Sequence, residues 1–73
     1  MLKIGHMLYF SEKKSLEEKL RLVISYYNRK VGKNPEFVVI SRQEDFSDEK
    51  FGEVDIYKRQ WINKNYFWVG VYG

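Results

Sequence analysis

The sequence predicts an α+β domain in which one amphipathic helix, at about residues 15–31, packs on a three- or four-stranded, mainly antiparallel sheet. Residues 15–32 carry a helical apolar pattern with a recognisable signal at each end. The segments after the helix are rich in β-branched and aromatic residues, as strands are. With 73 residues, the chain forms one small domain, residues 1–73, with two layers and the order β-α-β-β-β.

The helix is defined by its ends and by its apolar stripe. Ser15 and Glu18 have the spacing of a capping box, and Gly32 suits the left-handed residue that closes a helix. The residues that share one face are Leu16, Leu20, Val23, Ile24, Tyr27 and Val31. Leu22 and Tyr26 lie beside this stripe, either as the edge of a broad core face or as a second contact with a loop or another subunit.

The N-terminal segment, residues 2–10, is apolar and aromatic but is interrupted by Gly5. It is either one bent strand, with the glycine as a bulge or bend, or a strand that follows a loose tail. Residues 1–14 are therefore an attached strand or a loosely attached tail.

Three further strands follow the helix. Residues 37–41 are almost continuously apolar, which favours a central strand covered on both faces. Residues 42–52 are polar and form a loop or one short helical turn, held to the core by Phe46 and Phe51. Residues 53–59 alternate as a half-buried strand does.

The last two strands are predicted to pair as a hairpin. Asn63, Lys64 and Asn65 form its turn, and residues 66–72 form its second strand. The side chains expected to meet the helix are Val54, Ile56, Phe67, Val69 and Val71. The opposite face then carries Tyr57, Tyr66, Trp68 and Tyr72. Because one helix covers one face, this second face is exposed to solvent or used by a partner.

Two runs, Y-Y-N-R-K-V-G-K-N-P-E-F-V-V-I at 26–40 and N-Y-F-W-V-G-V at 65–71, resemble a pattern of small uncharacterised proteins. In those proteins a helix ends in a Tyr-rich turn with Gly and Pro, a strand follows, and the last strand reads aromatic-hydrophobic-Gly-hydrophobic. The resemblance covers about residues 15–71. It implies an α-β-β-β order and no catalytic residue.

Composition excludes several classes of function. The chain has no cysteine and one histidine, which excludes a disulfide framework and the usual zinc sites. A net charge of +3 is too weak to imply nucleic acid by itself. No apolar run approaches about 18 residues and no signal peptide is recognisable, so we expect a cytoplasmic protein without a membrane partner. A small core without a nucleotide or nucleophile motif predicts no enzyme activity, no cofactor and no small-molecule substrate.

Two other groups have side chains of the types found in chemical sites. His6 is a conceivable general base or ligand, but no second group stands at a suitable spacing. The carboxylates Glu44, Asp45, Asp48 and Glu49 are of the type that binds Mg²⁺ or Ca²⁺, but they lack the spacing of a calcium loop. A solvated loop, with Asp45 or Ser47 capping a short turn, is the favoured interpretation, so no metal is expected.

The candidate partner-binding residues are aromatic and basic side chains of the predicted hairpin. They are Tyr57, Lys58, Arg59, Trp61, Lys64, Tyr66, Trp68 and Tyr72. The favoured function is a non-enzymatic interaction module that forms a homodimer through the aromatic sheet face or a strand edge. The alternative is a single-stranded nucleic-acid-binding accessory protein that uses residues 57–68. An ordinary core and surface would need the same residue types.

Overall fold

The computed structural model describes residues 2–10 and 13–72. It confirms the α+β class with one helix packed on one sheet, but the sheet has five strands. The elements are β1 (Leu2–Tyr9), α1 (Leu16–Val31), β2 (Phe37–Ser41), β3 (Lys50–Phe51), β4 (Val54–Arg59) and β5 (Tyr66–Tyr72).

Both ends of α1 form as predicted. The Glu18 backbone N–H donates to Ser15 Oγ at 3.2 Å, and the Ser15 N–H donates to Glu18 Oε1 at 3.1 Å. At the other end Gly32 has a φ of 91° and donates its N–H to the Asn28 carbonyl at 2.7 Å. The two caps satisfy backbone groups that the helix itself leaves free.

The apolar stripe is buried over the first three turns of α1. Leu20, Val23 and Tyr27 are in the core, and Leu16 and Ile24 pack at its margin. The prediction for Val31 is wrong, because this last residue of the helix is exposed and lies beyond the core. Leu22 and Tyr26 are exposed too, so they do not form an edge of the core face.

The strand order is β1-β5-β2-β4-β3, with β2 and β4 parallel and the other neighbours antiparallel. The predicted hairpin is therefore wrong, because β2 lies between β4 and β5. Val39 of β2 pairs with Tyr57 on one side and with Trp68 on the other. The six residues 60–65 are long enough to step over one intervening strand, which is a gap of about 10 Å.

The central strand β2 is buried at all five positions, as predicted. Val38 and Ile40 face the helix and join the main core. Phe37 and Val39 face the other way and are covered by Ile62, whose connection folds over this side, and by the half-buried rings of Tyr57, Trp68 and Tyr72. The second sheet face is therefore not an open aromatic patch.

Residues 42–49 form turns and irregular structure without a helical turn. Phe46 and Phe51 pack against the main core, which confirms their predicted role. The two-residue strand β3 pairs antiparallel with Val54 and Asp55 at the beginning of β4.

The N-terminal segment is one strand, β1, at the opposite edge of the sheet. Its register against β5 shifts between Leu2 and Ile4, ahead of Gly5, so the glycine itself is not the bulge. A Cβ on Gly5 would lie 2.9 Å from the edge of the Trp68 indole. Gly5 is thus needed for the close approach of that ring.

Candidate functional site

The eight predicted site residues do not form one surface. Because β2 separates their strands, they divide into two groups of three, one residue beside β1 and one outlier. Tyr57, Trp68 and Tyr72 are half-buried over β2, and Arg59, Trp61 and Lys64 lie at the end of the sheet where β4 stops and β5 begins. Tyr66 lies beside β1. The outlier is Lys58, which lies on the face of β4 opposite to Tyr57 and Arg59 because strand side chains alternate.

The group over β2 is occupied with structural contacts. The Tyr72 hydroxyl donates to Asp55 Oδ2, so the Tyr57 hydroxyl, 2.9 Å away, is the donor to Tyr72. The Tyr72 ring lies 5.3 Å from the ring of Phe37, between centroids. Lys50 completes this row through an ion pair of 3.0 Å with Asp55. These side chains tie β2, β3, β4 and β5 together.

The ionisation of this row follows from its hydrogen bonds. Burial, reinforced by the bond to Asp55, raises the pKa of Tyr72 well above its usual value. The bond from Tyr72, followed by that from Lys50, lowers the pKa of the Asp55 carboxyl. A tyrosine held neutral and a carboxylate held charged are suited to a fixed hydrogen bond and not to proton transfer near neutral pH.

A cleft of about 610 Å³ adjoins this row near Val54, where β4 begins. Its charged lining side chains are carboxylates, those of Glu36, Glu53 and Asp55. Within residues 2–10 and 13–72, no three His, Cys, Asp or Glu side chains are close enough together to hold a metal ion. Glu36 is also engaged, because its Oε1 accepts the Tyr72 backbone N–H at 2.8 Å.

The outer side of β1 is an open edge of the sheet in the described part of the chain. The Phe10 N–H donates to the Asn65 carbonyl of the β5 side at 2.9 Å. Backbone groups alternate in direction along a strand, so His6 and Leu8 also pair inward, whereas Gly5, Met7 and Tyr9 direct their N–H and C=O groups outward. Three residues thus leave six backbone groups without a strand partner among the described residues.

Apolar side chains accompany this edge on the second sheet face. Met7 is 45% exposed and Tyr9 is 55% exposed. The Tyr9 ring pairs with that of Tyr66 across the strands, with 4.7 Å between centroids. Such rings stabilise the β1–β5 pair and at the same time present apolar surface beside the open edge.

The second accessible group lies at the sheet end formed by residues 41–42 and 59–64. Ser41 pairs with Arg59, so Arg42 leaves the sheet beside Gln60 and its Nη1 lies 3.5 Å from Gln60 Oε1. Trp61 is next in the chain and is 58% exposed. We call this group, which consists of Arg42, Arg59, Trp61 and Lys64, the Trp61 corner.

The other candidate chemical residues, His6 and the acidic cluster, do not come together as a site. His6 faces the helix, with its ring 6.0 Å from that of Tyr27 between centroids. The acidic residues do not stay together, because Glu44 turns inward and accepts the Asn65 backbone N–H at 3.2 Å. Asp45, Asp48 and Glu49 remain exposed.

A buried polar group was missed by sequence reasoning. Lys19 and Glu44 are each 8% exposed, and Asn65 bridges them. The Asn65 side-chain oxygen accepts from Lys19 Nζ at 2.8 Å, while its N–H donates to Glu44. The only sequence signal was the turn character of Asn65, whose φ is 73°; nothing in the sequence pairs it with a lysine 46 positions away.

No protein-family model, no curated protein and no solved structure matches this chain. In the part of the chain that the structure describes, no helix has the length and apolar character needed to cross a bilayer.

Proposed function

We propose that this chain is a non-enzymatic interaction module that self-associates through the outer edge of β1. The observation that carries the proposal is the outer edge of the eight-residue strand β1, which has no strand partner among the described residues and carries exposed Met7 and Tyr9. Proteins usually protect such an edge with short strands, charges or covering loops, because it readily pairs with another strand. At the other edge of this sheet, the two residues of β3 cover only Val54 and Asp55, so the edge there is divided between β3 and the last residues of β4 and is shorter than that of β1.

Pairing of β1 with β1 of a second copy joins two sheets into one of ten strands. Like strands that meet edge to edge around a two-fold axis are antiparallel, and the contact is closed and self-complementary. Only residues that direct backbone groups outward can form its hydrogen-bonded pairs, which restricts the register to combinations of Gly5, Met7 and Tyr9.

The side chains favour the register that places Met7 opposite Met7 of the second copy. It places Tyr9 of the partner subunit opposite Gly5, where no side chain projects and the Trp68 indole already lies close. An aromatic ring over a cross-strand glycine shields its backbone and pins the register. The two methionines meet at the axis, so the exposed apolar side chains of both copies are covered together.

This contact is small. A single pair of strands with a few side chains buries less than a standard interface, which is about 1,600 Å². We therefore expect a dissociation constant no tighter than micromolar. Both second sheet faces point to the same side of the dimer, because the two-fold axis is perpendicular to the joined sheet.

The test is the mass in solution over a wide range of concentrations, by light scattering and sedimentation. We expect a reversible shift from 8.9 kDa toward twice that value. Met7→Pro removes an outward N–H and leaves the hydrogen bonds to β5 intact, so it should give a folded monomer. Tyr9→Lys should weaken the dimer, and Tyr26→Lys, at an exposed tyrosine of α1, is the matched control.

Two results would overturn the proposal. One is a wild-type protein that stays monomeric at the highest concentration. The other is a dimer that persists in Met7→Pro or that Tyr26→Lys weakens as much as Tyr9→Lys, since either would place the contact elsewhere. Circular dichroism of each variant establishes that it is folded.

A further inference from the structure

The Trp61 corner is built by the topology of the sheet. Parallel β2 and β4 end at the same side, and antiparallel β5 begins there. Arg59, Trp61 and Lys64 come from the end of β4 and the connection that follows it, and the sheet brings Arg42, which follows β2, to the same end. The position of Arg42 beside them is not a property of any local run of sequence.

Trp61 stands out in this corner because its loop is fixed. Its neighbour Ile62 is buried to 2% exposure over Phe37 and Val39, and the Ile62 N–H donates to the Arg59 carbonyl at 3.3 Å. The loop is thus anchored on the sheet while the largest side chain beside the anchor remains 58% exposed. Exposure of an indole is unfavourable in water, so a fixed and open indole is a ready stacking surface.

The cations of the corner form no ion pair within 4.0 Å in the described part of the chain, where the ion pair found is Lys50–Asp55, near the opposite end of β4. The Arg59 guanidinium instead lies 5.2 Å from the Tyr57 ring centroid and donates to the Lys58 carbonyl at 2.8 Å. Arginine stacked on a ring keeps its outer N–H groups free for an anion.

We propose that the Trp61 corner binds single-stranded nucleic acid, with one base stacked on Trp61 and phosphates held by Arg42, Arg59 and Lys64. Stacking requires an unpaired base, which a single strand presents and a duplex does not. The corner has no helix or β-ribbon directed into a duplex groove, so the contact is to backbone and base face and carries little sequence preference. This function is independent of self-association at β1.

The first measurement is fluorescence anisotropy of a fluorescein-labelled oligo(dT) of about twelve nucleotides, a length within the usual site sizes of single-strand binders. The logarithm of the association constant should fall with the logarithm of salt concentration with a slope near −2, about 0.7 for each of three cations. Trp61→Ala should weaken binding about tenfold, and Tyr26→Ala, at an exposed ring on α1, should not.

A charge-matched pair of double variants locates the contact. Arg42→Ala with Arg59→Ala removes two charges from the corner and should reduce the slope by about 1.4. Arg29→Ala with Lys30→Ala removes the same charge from the exposed end of α1 and should leave the slope unchanged. Equal effects of both double variants would mean attraction by net charge alone and would overturn the proposal.

Competitors identify the class of ligand. Unlabelled duplex DNA of the same length should compete poorly. Poly-glutamate should compete poorly too, because it offers charge without a base to stack. Competition by poly-glutamate as strong as that by oligo(dT) would assign the corner to an acidic protein, and absence of oligo(dT) binding at low salt would end the proposal.

Discussion

Replacement of Asn65 separates two contributions that this one residue makes to stability. Its φ of 73° lies in the left-handed region, which glycine and asparagine tolerate and alanine does not. Its side-chain oxygen accepts from Lys19 Nζ at 2.8 Å, on a lysine that is only 8% exposed. Asn65→Gly removes the hydrogen bond from Lys19 and keeps a residue that tolerates the left-handed φ. Asn65→Ala removes the hydrogen bond and also strains the backbone.

The expected costs follow from these two terms. Loss of a partner for a buried ammonium group costs about 1–3 kcal/mol, and we expect this for Asn65→Gly. The left-handed conformation adds about 1–2 kcal/mol for alanine, so Asn65→Ala should cost about 2–5 kcal/mol. In a domain of this size each 1 kcal/mol lowers the melting temperature by roughly 4–8 °C.

The assay is urea unfolding, with Lys19→Met as the second arm of a double-mutant cycle. Methionine fills much of the volume of lysine without the buried charge, so it should make Asn65→Gly at least about 1 kcal/mol less costly. Equal costs for the glycine and alanine variants would refute the backbone argument. A cost of Asn65→Gly that Lys19→Met leaves unchanged would refute the hydrogen-bond argument.

Three further predictions concern single residues. Gly5→Ala places a Cβ within 3.0 Å of the Trp68 indole, so it should destabilise the protein by about 1–3 kcal/mol and shift tryptophan fluorescence to the red. Tyr72→Phe removes the hydrogen bond that lowers the pKa of Asp55. The stability that this bond contributes is present above about pH 4 and is lost as the pH falls through the pKa of Asp55 in the folded protein. The difference in unfolding free energy between wild type and variant, measured by urea unfolding, should therefore shrink below about pH 4. Gly32→Ala meets no atom within 4 Å but is strained at a φ of 91°, so thermal unfolding should show a loss of about 1 kcal/mol.

The local parts of the fold were predictable from sequence. The helix ends at Ser15 and Gly32 depend on groups within a few residues, and the structure reproduces both. The continuous apolar run of β2 predicts a strand covered on two faces, and β2 is the central, fully buried strand. In each case the pattern and the physical cause lie in the same short segment.

The pairing of strands was not predictable in the same way. The Asn63–Asn65 turn has hairpin composition, yet the strands on either side of it are separated by β2. Turn residues specify a change of direction and a positive φ, and they do not specify which strand lies next to which. The Trp61 corner depends on that choice, since Arg42 is distant in sequence and adjacent only because β2 and β4 are parallel.

If both proposals hold, the two Trp61 corners of the dimer lie at opposite ends of the joined sheet, because the two-fold axis reverses the strand direction of one copy. Seven strand spacings, roughly 34 Å, separate β4 of one copy from β4 of the other across the strands, so the two corners are at least that far apart. An oligonucleotide long enough to reach both corners binds the second one at a high effective concentration. Lengthening oligo(dT) past this span should therefore strengthen binding by more than tenfold for the wild type at dimer concentrations, and only weakly for monomeric Met7→Pro. A length dependence that is the same for both proteins would show that the two surfaces act separately.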